Sequence, residues 1–287
     1  MASQHVLVTG VTGKQGGAVA RRLLERGHRV RGITRNPDSP SAKAIAAAGV
    51  ELRKGNLEDR ASLDAAIAGV DAVFSMSTPF EAGMASETKQ GITVADAAKA
   101  ANAFLVYTSV GSADKATKIP HFDSKYEVEK HIRAIGAKAA IIAPVYFMEN
   151  AFFSRDQLKQ GVYATPLSPN RKLAQIAVSD IAACAVSALE QREAHVGKRH
   201  DIAGDNVSGE DAIAILSKVT GKPFKYFQVP MDMIRKRMGE DGAIMYEWFE
   251  RVGYTFDTAS LARAFPDVRF HTFEAWAKEQ DWKSIFA

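Results

Sequence analysis

The stretch from His5 to Gly27 reads HVLVTGVTGKQGGAVARRLLERG, and it decides the fold of the chain. Its short apolar start predicts a buried strand, and the apolar spacing that follows predicts a helix that stops at Gly27. Between them lie Gly10, Gly13 and Gly16 at three-residue steps. Glycines let the backbone turn sharply and approach a pyrophosphate, and the unpaired N–H groups of a helix N-terminus attract phosphate. This strand–turn–helix context predicts a dinucleotide site, whereas a turn that binds nothing is the alternative.

The end of the second predicted strand, residues 29–35, indicates which dinucleotide binds. An NAD-preferring fold usually places Asp or Glu there, where the carboxylate accepts hydrogen bonds from the ribose hydroxyls. This chain has Arg35, whose guanidinium cannot accept those bonds but suits a 2′-phosphate. Lys14 and Lys43 add positive charge nearby. The sequence therefore favours NADP(H) over NAD(H), unless Arg35 is only a solvated charge at the strand end.

Predicted strands and helices alternate through about residue 145, which is typical of a parallel sheet with helices on both faces. The expected fold class is α/β, a Rossmann-type doubly wound parallel sheet with a smaller α+β C-terminal substrate lobe. Ligands of such sheets bind beyond the carboxyl ends of the strands. The predicted ends, which should converge on one cleft, are residues 10–16, 35, 56–57, 75–79, 108–109 and 144–147.

The alternation loosens in the second half of the chain, where large apolar side chains become frequent. We predict that residues 1–150 form an NAD(P)-binding Rossmann domain, completed by about 173–203. Residues 151–172 and 204–287 would then form the smaller C-terminal substrate lobe. The large side chains of this lobe are expected to form its core, and some of them to cover the cleft.

Three helix starts are predicted from local signals. Residues 78–80 are expected to form a loop before a helix that begins at Glu87. Another helix is expected to begin at Tyr126. A helix in the second half is expected to be capped by Ser179 or Asp180, because short polar side chains there accept hydrogen bonds from the first N–H groups.

The composition of the 287 residues, 46% hydrophobic and 24% charged with a net charge of +4, is that of a globular protein. Lys and Arg are scattered, which argues against a nucleic-acid surface.

Cys184 is the single cysteine, so no internal disulfide forms and a cytoplasmic location is expected. The first predicted strand begins at His5, and no apolar run reaches the about 20 residues of a membrane span, so we expect neither signal peptide nor membrane. The histidines lack metal-ligand spacing, so no metal is expected.

Several motifs together resemble the NmrA-like family of atypical short-chain dehydrogenases/reductases, and the resemblance covers nearly the whole chain. The motifs are Gly10-x-x-Gly13-x-x-Gly16, Thr34-Arg35-Asn36-Pro37, Tyr107-Thr108-Ser109, His121-Phe122-Asp123-Ser124-Lys125 and Pro144-Val145-Tyr146-Phe147-Met148-Glu149-Asn150. The resemblance implies a Rossmann domain plus a smaller lobe, with NADP(H) in the cleft between them. The family includes quinone and dye reductases, and also proteins that bind NADP(H) and regulate partners without confirmed turnover.

The chemical centre has two alternative registers. Typical short-chain reductases use Ser, Tyr and Lys, with Tyr-x-x-x-Lys on one helix face, and the tyrosine donates the proton. In one register Tyr126 and Lys130 are this pair, with Ser109 upstream. In the other, Lys125 is the family lysine, as the resemblance implies, and His121 occupies the tyrosine position.

We prefer the register with Lys125 and His121, since the Ser109-to-His121 interval is close to the usual one. A histidine with an ordinary pKa near 6.5 can replace tyrosine as the acid. If His121 does not donate the proton, two alternatives remain. Either the acceptor is one whose reduction needs little help from an acid, such as a quinone or a cationic dye, or no reaction occurs. The alternative for His121 is a loop histidine. The alternative interpretation of residues 126–130 is a solvated helix face that includes Glu129.

The expected cofactor-binding residues lie in the glycine loop and at the strand ends. They are Gly10, Thr12, Gly13, Lys14, Gln15, Gly16, Arg35, Asn56, Leu57, Ser75, Ser77, Thr78, Thr108, Lys125, Pro144, Tyr146, Phe147 and Asn150. The first functional hypothesis is an NADPH-dependent reductase of a small apolar or aromatic acceptor. The second is an NADP(H)-sensing protein that regulates a protein partner without turnover. Either would act as a monomer or a homodimer.

Overall fold

A computed structural model describes residues 2–287, and a seven-stranded sheet lies at its centre. The strands in chain order are β1 (His5–Val8), β2 (Arg29–Thr34), β3 (Glu51–Lys54), β4 (Ala72–Ser75), β5 (Phe104–Thr108), β6 (Ala139–Pro144), β7 (Tyr146–Phe147), β8 (Val162–Thr165), β9 (Leu173–Ile176), β10 (Arg199–Ile202), β11 (Asp205–Val207) and β12 (Lys225–Gln228). The helices are α1 (Lys14–Glu25), α2 (Pro40–Ala47), α3 (Arg60–Ile67), α4 (Pro79–Ala100), α5 (Pro120–Ala134), α6 (Arg155–Lys159), α7 (Val178–Glu190), α8 (Arg192–His195), α9 (Gly209–Thr220), α10 (Met231–Arg251), α11 (Thr258–Ala264), α12 (Phe273–Lys278) and α13 (Trp282–Phe286). Short 3-10 turns cover Ala113–Lys115 and Met148–Ser154.

The central sheet has the strand order β3-β2-β1-β4-β5-β6-β10, and its neighbouring strands are all parallel. The strand order changes direction between β1 and β4, which is where open α/β sheets bind their ligands. The expected Rossmann-type doubly wound sheet is confirmed. From the second half of the chain, β10 extends this sheet beyond β6, whereas β9 pairs with β7 and β11 in a small separate sheet. The division into two lobes at the stated residues stays a prediction.

Each face of the central sheet is covered by its own set of helices. Neighbouring residues of β1 show the alternation, since Val8 belongs to the cluster with α1 and α7, and Leu7 to the cluster with α3, α4 and α5. All four residues of β1, of β4 and the whole of β5 are buried, as expected for parallel strands covered on both sides. The carboxyl ends of these strands are thereby held rigidly at one edge.

Two smaller clusters hold the second half together. One packs α9, α12 and α13 around Trp276, and the other packs α10 against the start of α5 around Phe122 and Phe249. The second cluster matters for the site, because it joins α10 to the helix that carries His121. Within residues 2–287, no helix combines the length and the apolar character that crossing a membrane requires.

Two helices begin earlier than their sequence patterns suggest. α4 begins at Pro79 with Thr78 as its N-cap, and Gly83, at φ 83°, separates the first turn from the rest. The expectation of a loop over 78–80 was therefore wrong. α5 begins at Pro120, well before Tyr126, because proline fits the first helical position, where no N–H is needed. His121 is consequently a helical residue and not a loop histidine.

The expected cap of α7 is also wrong. Neither Ser179 nor Asp180 caps this helix. Instead the carboxylate of Asp180 accepts a hydrogen bond from the backbone N–H of His271, at 2.8 Å. The N–H of Val178 donates to Glu149, at 3.0 Å, so a carboxylate distant in sequence performs the capping. Local sequence cannot reveal a cap of this kind.

Candidate cofactor and reaction site

The glycine loop after β1 packs so closely on itself that side chains have no room. Gly10 has a φ of +60°, and a Cβ there would lie 2.1 Å from Sδ of Met76. A Cβ on Gly16 would lie 2.3 Å from the carbonyl oxygen of Gly10. The N-cap of α1 is Gly13, which has no side chain to occupy the first N–H groups of the helix. These N–H groups are therefore available to a phosphate.

The loop is fixed to the neighbouring strand ends by side-chain hydrogen bonds. The hydroxyl of Thr9 donates to the carbonyl of Met76 at 2.8 Å and accepts from its N–H at 2.7 Å, which ties β1 to β4. The hydroxyl of Thr108 donates to the side-chain oxygen of Gln15 at 3.0 Å, which ties β5 to α1. Two residues assigned to the cofactor, Gln15 and Thr108, thus lie in contact.

Lys14 connects the glycine loop with the second half of the chain. Its Nζ lies 4.8 Å from the ring centre of Phe153, in the 3-10 turn that follows β7. Phe153 is 71% exposed, although it is a large apolar residue. An aromatic ring therefore stands beside the loop, open to contact with a ligand.

At the end of β2, Arg35 points into solvent and is paired with a residue of α4. Its guanidinium lies 2.5 Å from the carboxylate of Glu81, and both side chains are more than half exposed. Asn56 and Leu57, which are expected to bind the cofactor, lie in the turn after β3. The side chain of Asn56 accepts the N–H of Glu58 at 3.1 Å, so in this structure it shapes that turn.

Lys125 is held at the carboxyl end of β4. Its Nζ donates to the carbonyl of Ser77 at 3.1 Å and lies 2.7 Å from the carboxylate of Glu87, which is fully buried on α4. The other carboxylate oxygen of Glu87 accepts the hydroxyl of Ser124. Lys125 is only 13% exposed, so the ammonium is fixed in position. Glu87 was not among the predicted site residues, because nothing in the polar stretch around it on α4 indicates that it is buried.

The alternative lysine lies in a different environment. Lys130 is half exposed, pairs with Glu127 one turn earlier, and lies over the ring of Tyr126. Its face of α5 is directed away from the strand ends, because five residues along a helix turn a side chain by about 140°. The geometry favours the register with Lys125, and the register itself stays a prediction.

His121 is fixed by a carboxylate from the second half of the chain. Its Nδ1 lies 2.7 Å from Oδ2 of Asp241, and its backbone N–H donates to Oδ1 at 3.0 Å. Burial would raise the pKa of Asp241, but the hydrogen bond from His121 and its charge outweigh burial and lower that pKa. The ring centre of His121 lies 6.2 Å from that of Phe80, which is 78% exposed. The sequence offered no signal for Asp241.

Ser109 is directed toward a different carboxylate. Its hydroxyl donates to Glu129, and not to His121 or Lys125. Glu129 is fully buried and also pairs with Arg199 at 3.0 Å and with Arg133 at 2.9 Å. The expectation of a solvated helix face is wrong at Glu129, because strand β10 brings the guanidinium that compensates for its burial.

Tyr107, on β5, is fully buried. Burial raises its pKa well above the ordinary value, and the charges of Glu87 and Glu129 raise it further. Tyr107 therefore stays neutral across the physiological range, which excludes it as a phenolate base.

The remaining residues assigned to the cofactor line the same edge of the sheet or the segment that follows β6. Tyr146 is half-buried, and its hydroxyl lies 3.1 Å from that of Tyr246 on α10. Others are placed as follows: Thr12 in the glycine loop, Ser75 at the end of β4, Thr78 as the N-cap of α4, Pro144 at the end of β6, Phe147 on β7 and Asn150 in the 3-10 turn. Among residues 2–287, no group of three His, Cys, Asp or Glu is arranged to hold a metal ion.

Comparison with known proteins adds the family context. Residues 2–277 match the model of the NmrA-like family. Over 285 residues, 98% of both chains, the sequence is 28% identical to a (4-alkanoyl-5-oxo-2,5-dihydrofuran-3-yl)methyl phosphate reductase of Streptomyces griseus. Over 81% of the chain and 80% of the relative, it is 29% identical to an NAD(P)H azoreductase of Xenophilus azovorans. The structure of an NADPH-dependent quinone oxidoreductase of Escherichia coli, complexed with NADPH, superposes with a TM-score of 0.80 at 26% identity, over 95% of this chain and 98% of that one.

Proposed function

Since the chain belongs to the NmrA-like family, we propose that it is an NADPH-dependent reductase of a small apolar or aromatic acceptor. The observation that carries the proposal is the position of Lys125, fixed between the carbonyl of Ser77 and the carboxylate of Glu87 at the carboxyl end of β4. In typical short-chain reductases the lysine of the Tyr-x-x-x-Lys pair holds the nicotinamide ribose, and the family resemblance implies this role for Lys125. The similar reductases of azo, quinone and dihydrofuran compounds support the same reaction class.

The residues present fit a dinucleotide cofactor. The space that a Cβ on Gly16 would fill is occupied by the backbone of Gly10, so the start of α1 stays bare for a pyrophosphate. When bound, NADPH supplies the hydride that reduces the acceptor. Arg35 would hold the 2′-phosphate, and this supports NADP(H) over NAD(H). Lys125 would donate to ribose hydroxyls and orient the nicotinamide ring.

The surface around the cleft suits an apolar acceptor. Phe80 follows β4 and Phe153 lies beside the loop after β1, and these two strands are neighbours in the sheet. Their rings are 78% and 71% exposed, and covering them with an aromatic molecule would remove apolar area from water. We therefore propose a quinone-like or dye-like acceptor, and an enzyme that acts in the cytoplasm as a monomer or homodimer.

The proposal is tested by NADPH consumption with a panel of quinones and dyes. Lys125→Ala should lower turnover by about a hundredfold or more, because loss of ribose positioning and of acid–base support costs that much. Lys130→Ala is the matched control on the same helix, and its rate should stay within about twofold of the original. Equal effects of the two changes, or tight NADPH binding with no turnover of any acceptor, would contradict the proposal.

A sensing role is the second candidate function, and one observation favours it. The tyrosine position of α5 holds His121, which an aspartate binds, so the usual proton donor is absent. A sensor must bind NADP⁺ and NADPH with different affinity, or change its assembly or partner binding with the cofactor. Calorimetry with both forms, alongside light scattering, tests this role. Identical affinities and an unchanged assembly would remove it.

A further inference from the structure

His121 and Lys125 share one face of α5, because four residues separate them and the helix already begins at Pro120. This spacing equals the Tyr-x-x-x-Lys spacing of typical short-chain reductases. Lys125 marks this face as the one directed toward the end of β4, through its contacts with Ser77 and Glu87. The imidazole therefore lies one helical turn before the ammonium, on the side where the acceptor would be reduced.

Asp241 fixes the orientation of that imidazole from across the molecule. Its two carboxylate oxygens lie 2.9 and 2.7 Å from Nδ1 of His121, and one of them also accepts the backbone N–H of His121. Asp241 follows the kink of α10 at Gly239, so it belongs to the second half of the chain. A carboxylate at Nδ1 keeps the proton on that nitrogen and leaves Nε2 as the reactive atom of the ring.

We propose that Asp241 is the positioning residue that makes His121 the proton donor of the reduction, and that the acceptors are quinones and conjugated carbonyl compounds. The proposal rests on the reductase function proposed above. It adds Asp241, which was not among the predicted site residues, and it restricts the chemical class of the acceptor. The acid is assembled from both halves of the chain, so α10 takes part in the chemistry.

The electron and proton balance defines the substrate class. The acceptor takes a hydride, which is a proton with two electrons, from NADPH, and its conjugated π system becomes an oxyanion. The donating form of His121 is the imidazolium, which gives its Nε2 proton to that oxygen and is left neutral with its proton on Nδ1. Asp241 stays ionised, and solvent returns a proton to Nε2. In the overall reaction, the acceptor, NADPH and one proton give the reduced acceptor and NADP⁺. A cationic triphenylmethane dye is neutralised by the hydride alone, so its reduction needs no proton donor. A neutral quinone gains a negative charge on oxygen, so this proposal replaces the expectation that quinones need as little acid help as the dyes.

Few other titratable groups surround the imidazole. Asp241 faces it from α10, and Asp123, on the same helix, is close enough for the charge of His121 to affect its pKa. That pKa is raised, mainly by burial, although the His121 charge lowers it. Lys125 lies one turn further along α5, with Glu87 of α4 behind it. Phe80 contributes an uncharged ring. Asp241 is thus the one carboxylate in this set that hydrogen bonds to the imidazole.

The test compares two acceptors in the full chain. Asp241→Asn should lower kcat with a naphthoquinone by about tenfold to a hundredfold, since general acid catalysis contributes about that much or more. The NADPH affinity, measured by calorimetry, and the rate with a cationic triphenylmethane dye should stay within about twofold. Asp232→Asn is the matched control, an acidic residue of α10 that is 89% exposed, and should change none of these quantities.

Two further measurements keep the test decisive. His121→Gln removes the proton itself and should give the same acceptor-dependent loss, even if Asp241→Asn disturbs α10. Nitrogen-15 NMR of the His121 ring, which requires no turnover, should show the neutral form protonated at Nδ1 in the unaltered protein and a different tautomer balance in Asp241→Asn.

The outcomes separate this inference from the function on which it rests. Quinone turnover that Asp241→Asn and His121→Gln leave unchanged overturns the proton-donor role and leaves the reductase standing. Equal losses with the quinone and the dye also overturn it, because a merely structural role predicts them. Failure of the unaltered protein to reduce any acceptor while it binds NADPH overturns the reductase function itself, and the proton-donor role with it.

Discussion

Arg35 and Glu81 form an ion pair across the edge of the sheet, with 2.5 Å between guanidinium nitrogen and carboxylate oxygen. Arg35 follows β2, whereas Glu81 stands in the first turn of α4, before the kink at Gly83. Exposed pairs of this kind contribute only about 0–1 kcal/mol, so the guanidinium is easily drawn to a stronger partner. A 2′-phosphate, with more charge and three acceptor oxygens, is such a partner.

Arg35→Ala is therefore expected to weaken NADPH binding by about tenfold to a hundredfold, which is the usual effect of losing hydrogen bonds to a charged group. NADH, which lacks the phosphate, should lose less than about threefold. Glu81→Gln should act in the opposite direction and strengthen NADPH binding severalfold at low salt, because it removes a competitor for the guanidinium. Isothermal calorimetry with both cofactors measures these affinities.

Arg60→Ala is the control for these changes, since Arg60 is an exposed arginine paired with a carboxylate on α3. It should leave both affinities unchanged. Equal weakening of NADPH and NADH by Arg35→Ala would contradict the role assigned to Arg35 and would support the interpretation of a solvated charge at the strand end.

Gly16→Ala is expected to disrupt the glycine loop. The added Cβ would lie 2.3 Å from the carbonyl oxygen of Gly10 and 2.6 Å from that of Thr9, and backbone atoms cannot move aside as a flexible side chain can. Overpacking of this kind costs about 1–3 kcal/mol, and a displaced loop no longer fits a pyrophosphate. Thermal unfolding should show a lower Tm, and calorimetry should show weaker binding of NADPH and NADH alike.

Gly17→Ala provides the comparison at the next position of α1. Its Cβ would meet the end of the Arg21 side chain at 3.2 Å and the Val11 carbonyl at 3.3 Å, so a small adjustment accommodates it. This variant should keep its cofactor affinity. A Gly16→Ala protein that binds NADPH normally would show that the close packing of the loop is unrelated to cofactor binding.

The sequence was most informative where several local signals agreed. The strand, glycine loop and first helix were predicted because the periodicity and turn chemistry of His5 to Gly27 all indicate the same structure. The start of α5 was missed, although Pro120 is itself a local signal, since proline is favourable at the first position of a helix.

The parts of the site that were missed depend on contacts distant in sequence. The local pattern of α5 predicts a solvated charge at Glu129. Its partner Arg199 lies on a strand 70 residues later, so the pairing is not visible in that pattern. Asp241 reaches His121 across a separation of 120 residues, and nothing in the local pattern of α10 marks it. Such burial and pairing follow from tertiary packing, which a single sequence does not display.

The contact between the C-terminal ends of α1 and α7 gives a prediction about pH. Glu190, the last residue of α7, is 3% exposed, and its carboxylate accepts hydrogen bonds from Arg26 at 2.8 Å and from His28 at 2.9 Å, next to the end of α1. Burial would raise the pKa of Glu190, but the hydrogen bonds from Arg26 and His28 outweigh burial and lower that pKa. The carboxylate therefore ties the C-terminal ends of α1 and α7 together only while it is ionised.

A lowered pKa in the folded state means that the carboxylate stabilises the fold above the pKa of the unfolded chain, near 4.5. This contribution disappears as the pH falls through the lower pKa of the folded state. Glu190→Gln should therefore lower the free energy of unfolding by about 1–3 kcal/mol near neutral pH. The difference between the two proteins should shrink steadily below about pH 5.

Urea unfolding of both proteins at about pH 7, about pH 5.5 and about pH 4 measures the effect, with equal slopes confirming that the unfolded states are comparable. Glu25→Gln, a change to an exposed carboxyl of α1, should leave the stability within about 0.5 kcal/mol at every pH. If the loss caused by Glu190→Gln were the same at all three pH values, its origin would be packing and not charge. In that case the ionisation of Glu190 would not contribute to the stability of the contact between α1 and α7.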